Sequence, residues 1–132
     1  MARILIVDDD ADTAEILGDI LLDLGHDVRT ARNGKDGLML LHAERPDLVV
    51  LDVEMPVLTG PEMAYEMFIH DNGLETVPVI LCSGIWNLPN VASMVGTPYF
   101  LSKPFLLDTM LPLVERALGE RRPPHPHFPL SR

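Results

Sequence analysis

Five short apolar stretches punctuate the chain, at residues 4–7, 28–31, 48–51, 77–81 and 99–101, each of strand length. Those at 4–7, 48–51 and 77–81 are apolar almost throughout rather than alternating, the pattern of strands covered by helices on both faces of a parallel sheet. Between them, apolar residues return at helical spacing. Ala14, Ile16, Leu17, Ile20, Leu21 and Leu24 predict a helix over 11–24 that stops at Gly25. A second is predicted from the cap residue Asn33 through Leu38, Leu40 and Leu41 to Ala43, and Pro46 bars its continuation. Thr59-Gly60-Pro61 opens a third, with Met63, Ala64, Met67 and Phe68 on one face. The last is predicted over 107–118, where Pro112 is tolerable only near the first turn or at a kink.

Strand and helix alternate, so right-handed crossovers predict an α/β fold with a doubly wound, five-stranded parallel sheet. Residues 84–98, which include Trp86, Pro89 and Gly96, predict at most a short helix around 90–95. Trp86 suits core packing and an exposed partner anchor equally. Residues 119–132 contain Pro-Pro-His-Pro-His-Phe-Pro, which cannot hold a regular helix and is expected to form a flexible or extended tail. His125 and His127 within it are read as solvated residues rather than metal ligands. The domain is accordingly placed at 1–118, with 119–132 as an appendage.

Charge and cysteine content narrow the class. The 132 residues carry a net charge of -10, spread unevenly: residues 1–118 hold 19 acidic and 7 basic residues, whereas 119–132 hold one glutamate and three arginines. Duplex binding needs clustered Lys and Arg to displace counterions, so direct DNA binding is not expected. Cys82 is the only cysteine, which excludes an internal disulfide and a thiolate zinc site and fits a reducing cytoplasm. In its apolar surroundings it reads as a small buried hydrophobe. The apolar run near Met1 is too short for a signal peptide or a membrane span, so a soluble cytoplasmic protein without a membrane partner is expected.

In an open parallel sheet, ligands bind beyond the carboxyl ends of the strands. Asp8 and Asp9 follow the first strand, Asp52 the third, Ser83 the fourth and Lys103 the fifth. Each has an ordinary reading by itself. The run Asp8-Asp9-Asp10 can cap the first helix, with Asp10 or Asp12 the better cap; Asp52 can be a turn residue; Ser83 and Lys103 can be surface groups. Brought together, three carboxylates repel one another and lose hydration unless a cation sits among them. Mg2+ suits such an oxygen-rich set, with Asp9 and Asp52 as direct ligands, Asp8 acting through water and the Glu54 backbone carbonyl completing the protein's share. The ion, the Lys103 ammonium and the Ser83 hydroxyl would then neutralise the oxygens of a transferring phosphoryl group.

Four motifs carry a resemblance: Ile-Leu-Ile-Val-Asp8-Asp9-Asp10, Leu-Asp52-Val-Glu-Met-Pro56-Val-Leu-Thr-Gly60, Cys-Ser83-Gly84 and Phe100-Leu-Ser-Lys103-Pro104-Phe105. In this order and spacing, over about residues 2–118, the chain resembles the receiver domains of two-component response regulators. The resemblance implies a CheY-like, flavodoxin-like sheet of order 2-1-3-4-5. It also implies Asp52 as phospho-acceptor, Asp8 and Asp9 as the acidic Mg2+ pocket, Lys103 as a phosphoryl contact, and Ser83 and Phe100 as switch residues. A cis peptide before Pro104 and structural roles for Pro56 and Gly60 come with it. So do a sensor histidine kinase or phosphotransfer protein as donor, a downstream protein effector, and no turnover on external substrates. Ile85 cannot orient an attacking water, which predicts slow loss of the phosphoryl group.

The stretch between Ser83 and Lys103 is short for the family, so the fourth helix is expected to be truncated or displaced. The alternatives are a receiver-like interaction module independent of phosphorylation, an aspartyl-phosphate hydrolase and a flavin-binding module. The second lacks its further aspartate after Asp52, and the third lacks a phosphate-binding loop after the first strand.

Overall fold

The computed structural model describes residues 1–70 and 73–126. Its elements are β1 (Arg3–Val7), α1 (Ala11–Asp23), β2 (Asp27–Ala31), α2 (Gly34–Ala43), β3 (Leu48–Asp52) and α3 (Gly60–Ile69), a 3-10 turn at Leu74–Thr76, then β4 (Val79–Ser83), α4 (Leu88–Val95), β5 (Tyr99–Ser102) and α5 (Leu107–Glu120). Every strand pair is parallel and the order is β2-β1-β3-β4-β5, as expected. No helix among the described residues is long and apolar enough to cross a membrane.

The continuous apolar runs have the cause assigned to them. Every residue of β3 and β4 is buried. Alternate side chains enter two separate cores: Leu5, Val49, Leu51 and Leu81 pack with Leu41 and Met63, while Ile4, Ile6, Val50 and Ile80 pack with Leu17 and Val114. Each such fully buried side chain contributes about 1.5–3 kcal/mol relative to exposure.

Local signals set the ends of the helices. The Asp10 carboxylate accepts from the Asp12 and Thr13 amides and so is the cap of α1. Asn33 caps α2 through the Asp36 amide, and Thr59 and Glu62 form a reciprocal capping box at α3. Gly25 ends α1 at a φ of +92°, a conformation open to glycine.

Several boundaries differ from expectation. Strand β4 begins at Val79 rather than Val77, because Pro78 has no amide to donate and the Val77 amide closes the 3-10 turn on Leu74. Helix α4 begins at Leu88 rather than near Asn90: Pro89 sits in the first turn, where its missing N–H costs nothing. The helix is short, as expected, at 8 residues. Helix α5 continues to Glu120 with Pro112 inside it, and ends at Arg121 with a φ of 52°. Residues 121–126 form no regular element: Arg121, Arg122, Pro123 and His125 are exposed, while Pro124 and Pro126 are buried; His127 lies outside the described residues.

Gly60 places α3 against the site strand. Its amide donates to the Val53 carbonyl at 2.9 Å, and a Cβ there would run into the Asp52 carbonyl. Gly60→Ala is therefore expected to cost about 1–3 kcal/mol in thermal or urea unfolding. Gly119→Ala, with nothing within 4 Å of the added carbon, should instead gain a few tenths to about 1 kcal/mol.

Candidate functional site

Because β1 and β3 are hydrogen-bonded neighbours, their carboxyl ends deliver Asp8, Asp9 and Asp52 to one spot. Each offers a carboxylate oxygen, and these oxygens lie within 4.8 Å of one another; Asp8 and Asp52 are buried and Asp9 is exposed. Lys103, beyond β5, reaches into the group. Its Nζ donates to Asp8 Oδ2 at 2.7 Å and stands 3.8 Å from Asp52 Oδ2. The Asp10 amide donates to the other Asp8 oxygen at 2.9 Å, which fixes the Asp8 carboxylate from both sides.

Three carboxylates around one ammonium leave two negative charges in excess. The strain falls on Asp52, whose pKa is pushed up to about 7 by burial, by Asp8 and by Asp9, against the opposing pull of Lys103. Burial works against the charge of Lys103 as well. Its hydrogen bond to Asp8 and the charges of Asp52 and Asp8 outweigh that effect and hold its pKa above the usual lysine value. A hard divalent cation would balance the excess, and an all-oxygen donor set fits Mg2+ better than a softer metal. Asp8, Asp9 and Asp52 are the residues that would hold it.

The remaining expected residues surround this cluster at different distances from its chemistry. Glu54 is exposed and lines, with Asp9, Val53, Met55, Thr59 and Pro61, an open cleft beside the carboxylates. Ser83 ends β4 and is buried, and its Oγ accepts from the Ile85 amide at 3.3 Å. Phe100 points outward from β5 and is 39% exposed, whereas Tyr99 beside it is fully buried. The Lys103–Pro104 peptide is cis. Cys82 pairs in register with Asp52 and is buried; burial above all pushes its thiol up to about 12, so it remains protonated. Trp86, whose place the sequence left open, is 89% exposed.

Two features were not singled out from the sequence. Pro56 precedes Val57, which has a φ of 73° and closes a three-residue turn through the Leu58 amide and the Pro56 carbonyl at 2.8 Å. A β-branched residue in that region is strained, and the turn lies on the rim of the site. A groove of about 430 Å³ lined by Asp10, Thr13, Ile16, Lys103, Pro104 and Phe105 borders the opposite side. Neither feature has a local sequence signal other than the proline.

Comparisons with known proteins bear on this arrangement. The family model described as response regulator receiver domain matches residues 4–115. Among curated relatives, Protein Rrf1 of Nitratidesulfovibrio vulgaris is 36% identical over 89% of this chain and 83% of its own length. Protein PilH of Pseudomonas aeruginosa is 34% identical over 90% of this chain and 99% of its own length. Other relatives are much longer: the chain spans 27% of the transcriptional regulatory protein GlrR of Escherichia coli. Among solved structures, a putative response regulator from Chloroflexus aurantiacus superposes with a TM-score of 0.83 and 28% identity, covering 89% of this chain and 98% of the other.

The raised pKa of Asp52 has a consequence for stability. Between the ordinary carboxylate value of 3.8 and about 7, the folded state keeps a proton that the unfolded state has lost. Asp52 therefore stabilises the metal-free fold at low pH, and that contribution is lost as pH rises through 7. Urea unfolding should find Asp52→Asn more stable than the parent at pH 8 without metal, with the gap closing toward pH 5. Mg2+ at pH 8 should stabilise the parent and have much less effect on the variant.

Proposed function

We propose that this chain, which belongs to the response regulator receiver family, is a phosphorylation-driven signalling switch with Asp52 as its acceptor. The observation that carries the reading is the buried Asp52 carboxylate at the end of a central strand, grouped with Asp8 and Asp9 and 3.8 Å from the Lys103 ammonium. A lone buried carboxylate would be a liability; this one sits among groups that suit a phosphoryl transfer.

The chemistry follows from those groups. An Asp52 oxygen attacks the phosphorus of a donor, a phosphohistidine on a sensor kinase or phosphotransfer protein. The new P–O bond makes an acyl phosphate as the P–N bond breaks, and the imidazole leaves with a proton. Lys103 is placed to neutralise an equatorial oxygen of the group in transit. A Mg2+ ion held by Asp8, Asp9 and Asp52, with the Glu54 carbonyl, would supply further charge neutralisation. Water later attacks the phosphorus, releases inorganic phosphate and restores the carboxylate. A receiver is not a turnover enzyme, and this cycle acts on the protein's own side chain.

The switch lies in the neighbouring residues. Phosphorylation draws Lys103 from Asp8 and turns the Ser83 hydroxyl toward the phosphoryl oxygens, leaving room for Phe100 to turn inward from its half-exposed position. That shifts a two-state equilibrium of the face formed by α4, β5 and α5, which a downstream protein reads. The reading assigns residues 1–118 to the receiver and 119–132 to an appended segment, and places the protein in the cytoplasm with its kinase.

Incubation with acetyl phosphate and Mg2+ should add one phosphoryl group to the intact protein and none to Asp52→Asn. Failure to label the parent under conditions where Mg2+ binds would favour an interaction module independent of phosphorylation. The half-buried Ile85 side chain cannot hold a water for in-line attack, so the phosphorylated form should persist for minutes or longer. A lifetime of seconds would contradict this assignment.

A further inference from the structure

The chain beyond α5 does not leave the domain. It runs beneath the sheet, on the edge opposite the carboxylates, and makes contacts with four elements. The Arg121 guanidinium donates to Asp47 at 3.2 Å, just ahead of β3. The Arg122 amide donates at 3.4 Å to the Tyr99 hydroxyl, which itself donates to Glu120 at 3.0 Å. The His125 amide donates to the Gly96 carbonyl at 3.2 Å, and the His125 ring meets Phe68 of α3 edge-on with centroids 5.3 Å apart. Pro124 and Pro126 on either side are buried.

The points of attachment matter. Gly96 is the residue on which α4 ends, with a φ of +79°, and a Cβ there would collide with the His125 backbone. Tyr99 is the first residue of β5 and immediately precedes Phe100. The segment thus grips the C-terminal end of α4 and the start of β5. Cover is lighter here than at the centre of the sheet: α4 has 8 residues, and β5 alternates buried and exposed positions where β3 and β4 are wholly buried.

We propose that residues 121–126 form an intramolecular strap that holds α4 and β5 in the arrangement seen here and opposes the displacement of that face on phosphorylation. The strap's contacts exist in this state, and any movement of the end of α4 relative to α3 breaks them. By linkage, an opposing contact weakens whatever stabilises the displaced state, so releasing the strap strengthens it. The second half of this proposal rests on the phosphorylation reading; the first half does not.

Pro124→Asp combined with Pro126→Asp places charge in the buried positions of the strap without touching residues 1–120. His125→Pro is a second variant that introduces no charge; it removes the amide donor to Gly96 together with the ring that meets Phe68. In the unphosphorylated protein, amide exchange at residues 95–97 should accelerate by on the order of tenfold in the double variant, with β1 and β3 unchanged. Unchanged exchange in both variants would overturn the strap. With Mg2+ present, beryllofluoride, a mimic of the phosphoryl group, should bind the double variant roughly fivefold more tightly than the parent. Equal or weaker binding alongside faster exchange would overturn the opposition to switching and leave a purely structural brace. Binding to neither protein would overturn that opposition together with the phosphorylation reading, while the exchange result would still decide the strap.

Discussion

Three carboxylates sharing one ammonium is the constraint on which this molecule is organised. Asp8, Asp9 and Asp52 are held together although their mutual repulsion and the burial of two of them oppose it. Only a scaffold stable elsewhere can hold such a group. The two fully buried central strands, the two cores they separate and the capped helices supply that stability away from the site. At the site itself the backbone is over-determined: Gly60 packs against the Asp52 carbonyl, and the Asp10 amide and Lys103 fix Asp8 from opposite sides.

The sheet is not uniform, and its asymmetry matches a division of labour. Its centre, β1, β3 and β4, carries the carboxylates and is covered on both faces. Its β5 edge is covered by a two-turn helix on one side and exposes Phe100. Elements with few buried apolar contacts open most readily. On the proposed reading, a change of charge at the centre is expressed at this edge, and the segment that follows α5 attaches to the same edge from below. Strand β5 links the two ends: Lys103 of the site follows it, and the segment after α5 meets its first residue, Tyr99.

How much of this could be read from the chain depends on how local each signal is. The central strands were legible because burial on both faces forces unbroken apolar runs. Asp10, Asn33 and Thr59 were legible because capping is a contact between near neighbours in sequence. The convergence of Asp8, Asp9, Asp52 and Lys103 was legible from topology, since parallel strands deliver their carboxyl ends to one edge. What failed was longer in range or turned on a proline's place. Pro89 falls before the helix expected around 90–95 but sits in the first turn of α4; Pro78 lies inside the apolar run 77–81 and keeps β4 from starting before Val79. Residues 119–132 suggested a flexible or extended tail, yet Pro124 and Pro126 are buried, and His125 between them meets Gly96 and Phe68, far away in sequence. The exposure of Trp86 had no local signal at all.

The crowding of charge at Asp52 can be measured without any phosphoryl donor. If its carboxyl holds a proton to about pH 7 because of Asp8, Asp9 and burial, a divalent ion must displace that proton on binding. Calorimetric Mg2+ titrations in two buffers of different ionisation enthalpy count the protons released. The account predicts release approaching about one proton at pH 6, fading above pH 8 and absent in Asp52→Asn. Mg2+ binding with no proton release at pH 6, or release undiminished in Asp52→Asn, would contradict it.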